Sequence, residues 1–203
     1  MIRLASLLAI SLWLAGCNGG SPALIDDPVF TPEVAQEFAV DTVHSSTMFK
    51  ILHAGTAEFF GSFRKMSGTL RFAPRDLENS SVRVVIETAS VDTNNPDRDA
   101  HVREVFEVEK YPQAIFEASN FRSMGGNSYR VDGTMTFHGV TQPLQVEAEL
   151  VGSSNTDRFG PKLGFTARFV IDRVAFQVGP EWADSVLGTK VEVAIGIEAN
   201  LQK

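Results

Sequence analysis

Val191-Glu192-Val193-Ala194-Ile195-Gly196-Ile197-Glu198-Ala199-Asn200-Leu201 decides the fold. Val191, Val193, Ile195, Ile197, Ala199 and Leu201 fall on one side of an extended chain, and Glu192, Glu198 and Asn200 on the other. A period of two marks a strand with one buried face. The pattern recurs upstream. Leu144, Val146, Ala148 and Leu150 oppose Gln145, Glu147 and Glu149, and Phe165, Ala167, Phe169 and Ile171 oppose Thr166, Arg168 and Asp172. Shorter alternating runs cover 37–43, 47–53, 68–73, 81–88, 114–122 and 128–137.

Turn chemistry separates these runs. Met124-Gly125-Gly126-Asn127 and His138-Gly139-Val140-Thr141 read as hairpin turns, and Pro74-Arg75-Asp76 through Asn79-Ser80 as a third. Short turns between such runs make antiparallel neighbours. About eight to nine strands with one apolar face must stack as two sheets or close on themselves, and closure removes the exposed edges. The predicted fold class is all-β, a single antiparallel barrel of about eight strands. One segment departs from alternation. After Asn94-Asn95-Pro96, the residues Val102, Val105 and Phe106 take helical spacing, which predicts one short helix near 97–106. Tyr111-Pro112 would end it, and a lone helix in such a barrel covers one mouth.

The start of the chain reads differently. Arg3 precedes an apolar run from Leu4 to Leu14 that is too short for a permanent membrane span. It reads instead as an export signal over 1–16. Leu14-Ala15-Gly16-Cys17 resembles the bacterial lipobox, and Cys17 is the single cysteine, so no internal disulfide competes for it. The expectation is a lipoprotein attached to a membrane through Cys17 and facing the periplasm. Asn18 rather than Asp after the cysteine favours the outer membrane if the cell is Gram-negative. Residues 17–36, with Gly19, Gly20, Pro22, Pro28 and Pro32, read as a flexible tether, and 37–203 as the barrel.

Composition removes several functions. One of the 18 Lys+Arg, Arg3, lies in the signal, so 17 face 25 Asp+Glu afterwards, a net of −8. An acidic domain without a basic cluster is a poor partner for nucleic acid or an anionic lipid surface. The four histidines form no His-x-x-x-His spacing, and no Gly-x-Ser-x-Gly elbow or Gly-rich phosphate loop occurs. The expectation is therefore no enzyme, no metal and no cofactor. Phenylalanine outnumbers tyrosine 15 to 2, which suits either a Phe-rich core or a cavity lined for a hydrocarbon chain.

Several segments in order resemble the YceI-like family of bacterial periplasmic and secreted proteins. They include Phe49-Lys50-Ile51-Leu52-His53, Ser67-Gly68-Thr69-Leu70-Arg71-Phe72, Arg98-Asp99-Ala100-His101-Val102 and Lys110-Tyr111-Pro112. Val131-Asp132-Gly133-Thr134-Met135-Thr136-Phe137-His138-Gly139-Val140-Thr141 is the most telling, and Ile171-Asp172-Arg173 completes the set. The resemblance implies a lipocalin-like barrel enclosing a polyisoprenoid, a quinone or a similar amphiphile. One departure is Gln177 in Phe176-Gln177-Val178, where the family pattern suggests glycine.

On that basis Phe49, Ile51, Phe63, Phe72, Phe116, Phe121, Phe137, Phe165 and Phe169 are the candidate apolar lining, each of them equally at home in a plain core. Arg98, Asp99 and His101 at a helix start could hold a polar head group, or could serve only as cap and ion pair. His53 shares the inward parity of Phe49 and Ile51. Arg173 also has inward parity and needs a partner, either the ligand head or Asp172 or Glu181. The leading function is a lipid-binding module, the alternative a structural or interaction lipoprotein with a filled core, and a third a hydrolase or redox enzyme that would need a cleft joining His53 or His101 to a serine and a carboxylate. A homodimer is open in each case.

Overall fold

The computed structural model describes residues 31–202. The expected signal, Cys17 and most of the tether lie outside the described residues. Before the helix come β1 (Gln36–Val40), β2 (Ser46–His53), β3 (Ala57–Phe63), β4 (Met66–Phe72), β5 (Ser81–Glu87) and β6 (Val91–Asp92). After α1 (Pro96–Val105) come β7 (Gln113–Gly125), β8 (Ser128–Phe137), β9 (Val140–Thr156), β10 (Gly160–Asp172) and β11 (Leu187–Leu201).

Eight strands close a ring in the order β1-β4-β5-β7-β8-β9-β10-β11, with β1 also paired to β11. Every pairing is antiparallel. The other three strands continue members of that ring. β11 meets β2 over Val191 to Gly196 and β1 over Ala199 to Leu201, so β1 and β2 are one long stave broken at 41–45. β3 and β4 form a second broken stave, since β3 pairs with β2 and β4 with β1. β5 and β6, separated by a 3-10 turn at Thr88–Ser90, form a third. The expected count of about eight therefore describes the staves, while two segments, β3 and β6, were not anticipated. In β3 the apolar alternation is masked, because Phe60 points outward and Gly61 inward.

The break between β1 and β2 is satisfied locally. The Asp41 amide donates to the Glu198 carbonyl at 2.7 Å, and the Glu198 amide donates to Ser45 Oγ at 3.0 Å. The Asp41 carboxylate accepts the amides of Val43 and His44 at 2.9 and 3.0 Å. A short polar turn thus supplies the partners that a ladder would have given. At the β8–β9 hairpin, His138 and Gly139 take φ of +50° and +75°, as a two-residue primed turn requires.

The two ends of the barrel interior are filled differently. At the end where β1, β4 and β10 meet, Phe38, Phe72 and Leu163 are fully buried. The Phe72 ring stands edge-on to Tyr129 and Phe165, with centroids 5.2 and 5.1 Å away. This ring cluster is a floor. The opposite end lies beneath α1 and the 173–187 loop.

Two boundaries differ from expectation. Ala35 is buried and its amide donates to Asp76 Oδ2 at 2.9 Å, so the last part of the expected tether docks on the barrel. Helix α1 is capped by Asn95, whose side chain accepts the Arg98 amide at 3.0 Å, and Pro96 occupies its first turn. It stops at Val105, ahead of Tyr111-Pro112, where Glu107 turns left-handed at φ +46°.

Candidate ligand-binding site

A cavity of about 630 Å³ occupies the upper half of the barrel. Alternation on β2 sends Thr47, Phe49, Ile51 and His53 into it, and β3 contributes Phe59 and Phe63. β8 adds Met135 and Phe137, β10 adds Phe169 and Ile171, and β11 adds Val191 and Val193. The roof is the apolar face of α1, Val102 and Val105 followed by Phe106. Phe106 stacks on Phe63 at 6.1 Å and meets Phe137 edge-on at 5.2 Å, which fastens this end of the lid. Gly61 directly faces Phe49 across the ladder, and a Cβ there would lie 2.3 Å from the Phe49 ring. The glycine lets that ring lie over β3.

The mouth is polar. His53, Glu58, Arg98, His101 and Trp182 border it. Arg98 donates from Nε to Thr93 Oγ1 at 3.0 Å and from Nη2 to the Thr93 carbonyl at 2.6 Å. Its guanidinium lies 4.3 Å over the Phe59 ring, a favourable cation–π placement. Those contacts use two of its five N–H donors, and the rest stay at the mouth. The His101 ring is 5.8 Å from that of Trp182.

The four expected head-group residues separate into two pairs. Arg98 and His101 are exposed at the mouth. Asp99 is buried away from it and accepts the Thr93 amide and hydroxyl at 2.7 and 2.5 Å, pinning the turn before the helix. Arg173 borders the cavity but has no donor left for a ligand or a carboxylate. Its Nε bonds the Gly188 carbonyl, Nη1 those of Val178 and Gly179, and Nη2 those of Trp182 and Leu187. Asp172, one of its expected partners, pairs with Lys190 at 3.0 Å. In both cases the side chain is taken up by the turn or loop around it, whose polar groups it satisfies.

The expected lining also divides. Phe49, Ile51, Phe63, Phe137 and Phe169 line the cavity. Phe116, Phe121 and Phe165, together with Phe169, line a separate void of about 80 Å³ lower in the barrel. Phe72 lines neither and belongs to the floor. Phe59 and Trp182 were missed. Phe59 lies in the masked strand β3, and Trp182 in a loop that carries no periodicity.

On the outer surface, Asp41, His44 and Glu198 bring ligand atoms within 4.8 Å of one another, a grouping invisible in sequence spacing. Lys162 already pairs with Glu198, and Asn200 donates to Asp41 at 3.1 Å. The cluster clasps the β1–β2 break to β11.

A family model described as the YceI-like domain matches residues 38–199, almost the whole barrel. The chain belongs to the YceI-like family. A YceI protein from Salmonella arizonae is 33% identical over 174 residues, covering 84% of this chain and 90% of its own length. A UPF0312 protein from Vibrio campbellii is 33% identical over 148 residues, covering 71% and 78%. Among solved structures, Burkholderia cenocepacia BcnA superposes with a TM-score of 0.71 at 27% identity, covering 79% of this chain and 99% of its own. A polyisoprenoid-binding domain from Saccharophagus degradans, 17% identical, shares the fold with a TM-score of 0.63, covering 81% and 98%. In this YceI-like barrel the telling segment from Val131 to Thr141 becomes β8, its hairpin turn and the first residues of β9.

Proposed function

We propose that this YceI-like barrel binds one long apolar lipid, of isoprenoid or quinone type, for sequestration or transport in the bacterial envelope. The observation that carries the reading is the roofed apolar cavity with a polar mouth. The Saccharophagus degradans domain of the same fold is a polyisoprenoid-binding one, which supports the ligand class. Each buried methylene contributes about 0.8 kcal/mol. Association costs on the order of 4–15 kcal/mol, so a chain of fewer than about ten carbons would not be retained. Arg98, His101 and His53 face the position of the head group and suit a hydroxyl, carbonyl or anionic oxygen. In this reading Cys17 carries the lipid anchor that keeps the barrel beside the membrane supplying its ligand, and no catalytic step is involved.

The filled-core alternative describes only the floor. Native mass spectrometry separates the two readings. A form beginning at Thr31 is expressed in the periplasm and purified without detergent. A stoichiometric isoprenoid or quinone mass is expected. A clean apo mass that persists after incubation with polyprenyl lipids would favour the interaction protein.

A further inference from the structure

The barrel interior holds two spaces, and Phe169 is the one residue that lines both. Along β10 the inward side chains run Phe165, Ala167, Phe169, Ile171. Phe165 belongs to the ring cluster of the floor. Ala167 lies directly opposite Ala148 on β9, and these two small side chains line the lower void of about 80 Å³. Phe169 then closes that void from the cavity of about 630 Å³ above. Its ring is only half-buried and packs on both apolar clusters. A χ1 step between staggered wells would swing the ring out of its place between the two spaces.

We infer that Phe169 is a gate that sets the length of the chain the barrel accepts. The gate presupposes the lipid-binding function proposed above. A water occupies about 30 Å³ and a methylene about as much, so the upper cavity holds on the order of 20 carbons. With the ring turned aside, the lower void admits about three more before the chain meets the Phe72 floor. Chain length is thus measured from the polar mouth at Arg98 to the Phe169 ring.

The test is a series of all-trans prenols of increasing length, measured by displacement of a fluorescent lipid from the delipidated full barrel. The wild-type protein should prefer the 20-carbon member. Phe169→Ala adds the volume of the lost ring to the lower void, room for about five carbons in all, and should shift the preference to the 25-carbon member, changing the ratio of the two affinities about tenfold. Ala167→Leu added to Phe169→Ala refills the lower void and should restore the original ratio. Phe169→Leu serves in the same comparison if the alanine variant does not fold. A Phe169 variant that weakens every prenol equally, or leaves the ratio unchanged, overturns the gate while leaving the binding function intact. A wild-type protein that binds neither a prenol nor an isoprenoid quinone of any length overturns both.

Discussion

Arg173 Nη2 and the Trp182 carbonyl oxygen are joined by a 3.0 Å hydrogen bond, one of five from a single guanidinium to backbone carbonyls of the 173–188 segment. The segment has no regular structure until β11 begins at Leu187, yet it supplies Val178, Trp182, Val186 and Leu187 to the cavity wall. A buried cation gathers the loop's carbonyls where a sheet ladder cannot. Lysine offers three donors instead of five, so Arg173→Lys should lower stability by about 3 kcal/mol, measured by urea unfolding. It should also speed hydrogen exchange across the loop. A variant of wild-type stability with weakened lipid binding would instead return Arg173 to a head-group role.

Phe72 and Phe49 should respond oppositely. Phe72 is fully buried in the floor, and Phe72→Ala should cost about 3–5 kcal/mol. Phe49 is half-buried over Gly61 and faces empty space, so Phe49→Ala should cost about 1 kcal/mol. Its lipid affinity should fall about tenfold. Equal stability losses from the two substitutions would contradict the division between floor and cavity.

Gln177 sits at φ +59°, a left-handed backbone that glycine adopts without strain. The side chain is exposed and makes only a 3.5 Å contact to the Val174 carbonyl. Gln177→Gly should therefore stabilise the protein by about 1 kcal/mol. Calorimetry should register a rise in Tm of about 2–4 °C.

The clasp at the β1–β2 break is sensitive to acid. The hydrogen bond from His44 and the amides of Val43 and His44 hold the Asp41 carboxyl well below the usual carboxylate range, outweighing the opposing effect of burial. A lowered folded-state pKa means the stabilisation is fully present above the ordinary Asp value of about 3.9. It is lost as the pH falls through the depressed value. The stability difference between the wild-type protein and Asp41→Asn should be largest near neutral pH and shrink below about pH 4. A difference that stays constant down to pH 2 would remove Asp41 from the clasp.

If Cys17 carries a lipid anchor, cells fed labelled palmitate should label the wild-type chain and not Cys17→Ser. Fractionation should move the variant from the membrane to the soluble periplasm. Labelling that survives the substitution would place the anchor elsewhere.

Much of the barrel was legible because alternation is a local signal. β8 runs over the anticipated residues, and β10 and β11 contain the anticipated inward faces Phe165–Ala167–Phe169–Ile171 and Val191 to Leu201. The helix was legible from Val102, Val105 and Phe106, although Asn95 rather than an aspartate caps it. The site was less legible. Alternation gives Phe72 and Phe49 the same inward parity, but parity cannot distinguish a ring enclosed on every side from one that packs on Phe59 and Phe63 and leaves a side to the cavity. That depends on the residues opposite, Tyr129 and Phe165 in one case and Gly61 in the other.

The sequence by itself determined what short-range patterning determines: alternating faces, turns, one lid helix and an inward arginine at the end of β10. Only the tertiary structure decided that three staves are broken, that the barrel is floored by rings at one end and lidded around a polar mouth at the other, and that Arg173 serves its own loop. These outcomes rest on contacts between residues far apart in the chain. A strand's period states which way a side chain points, and the fold alone supplies what it meets there.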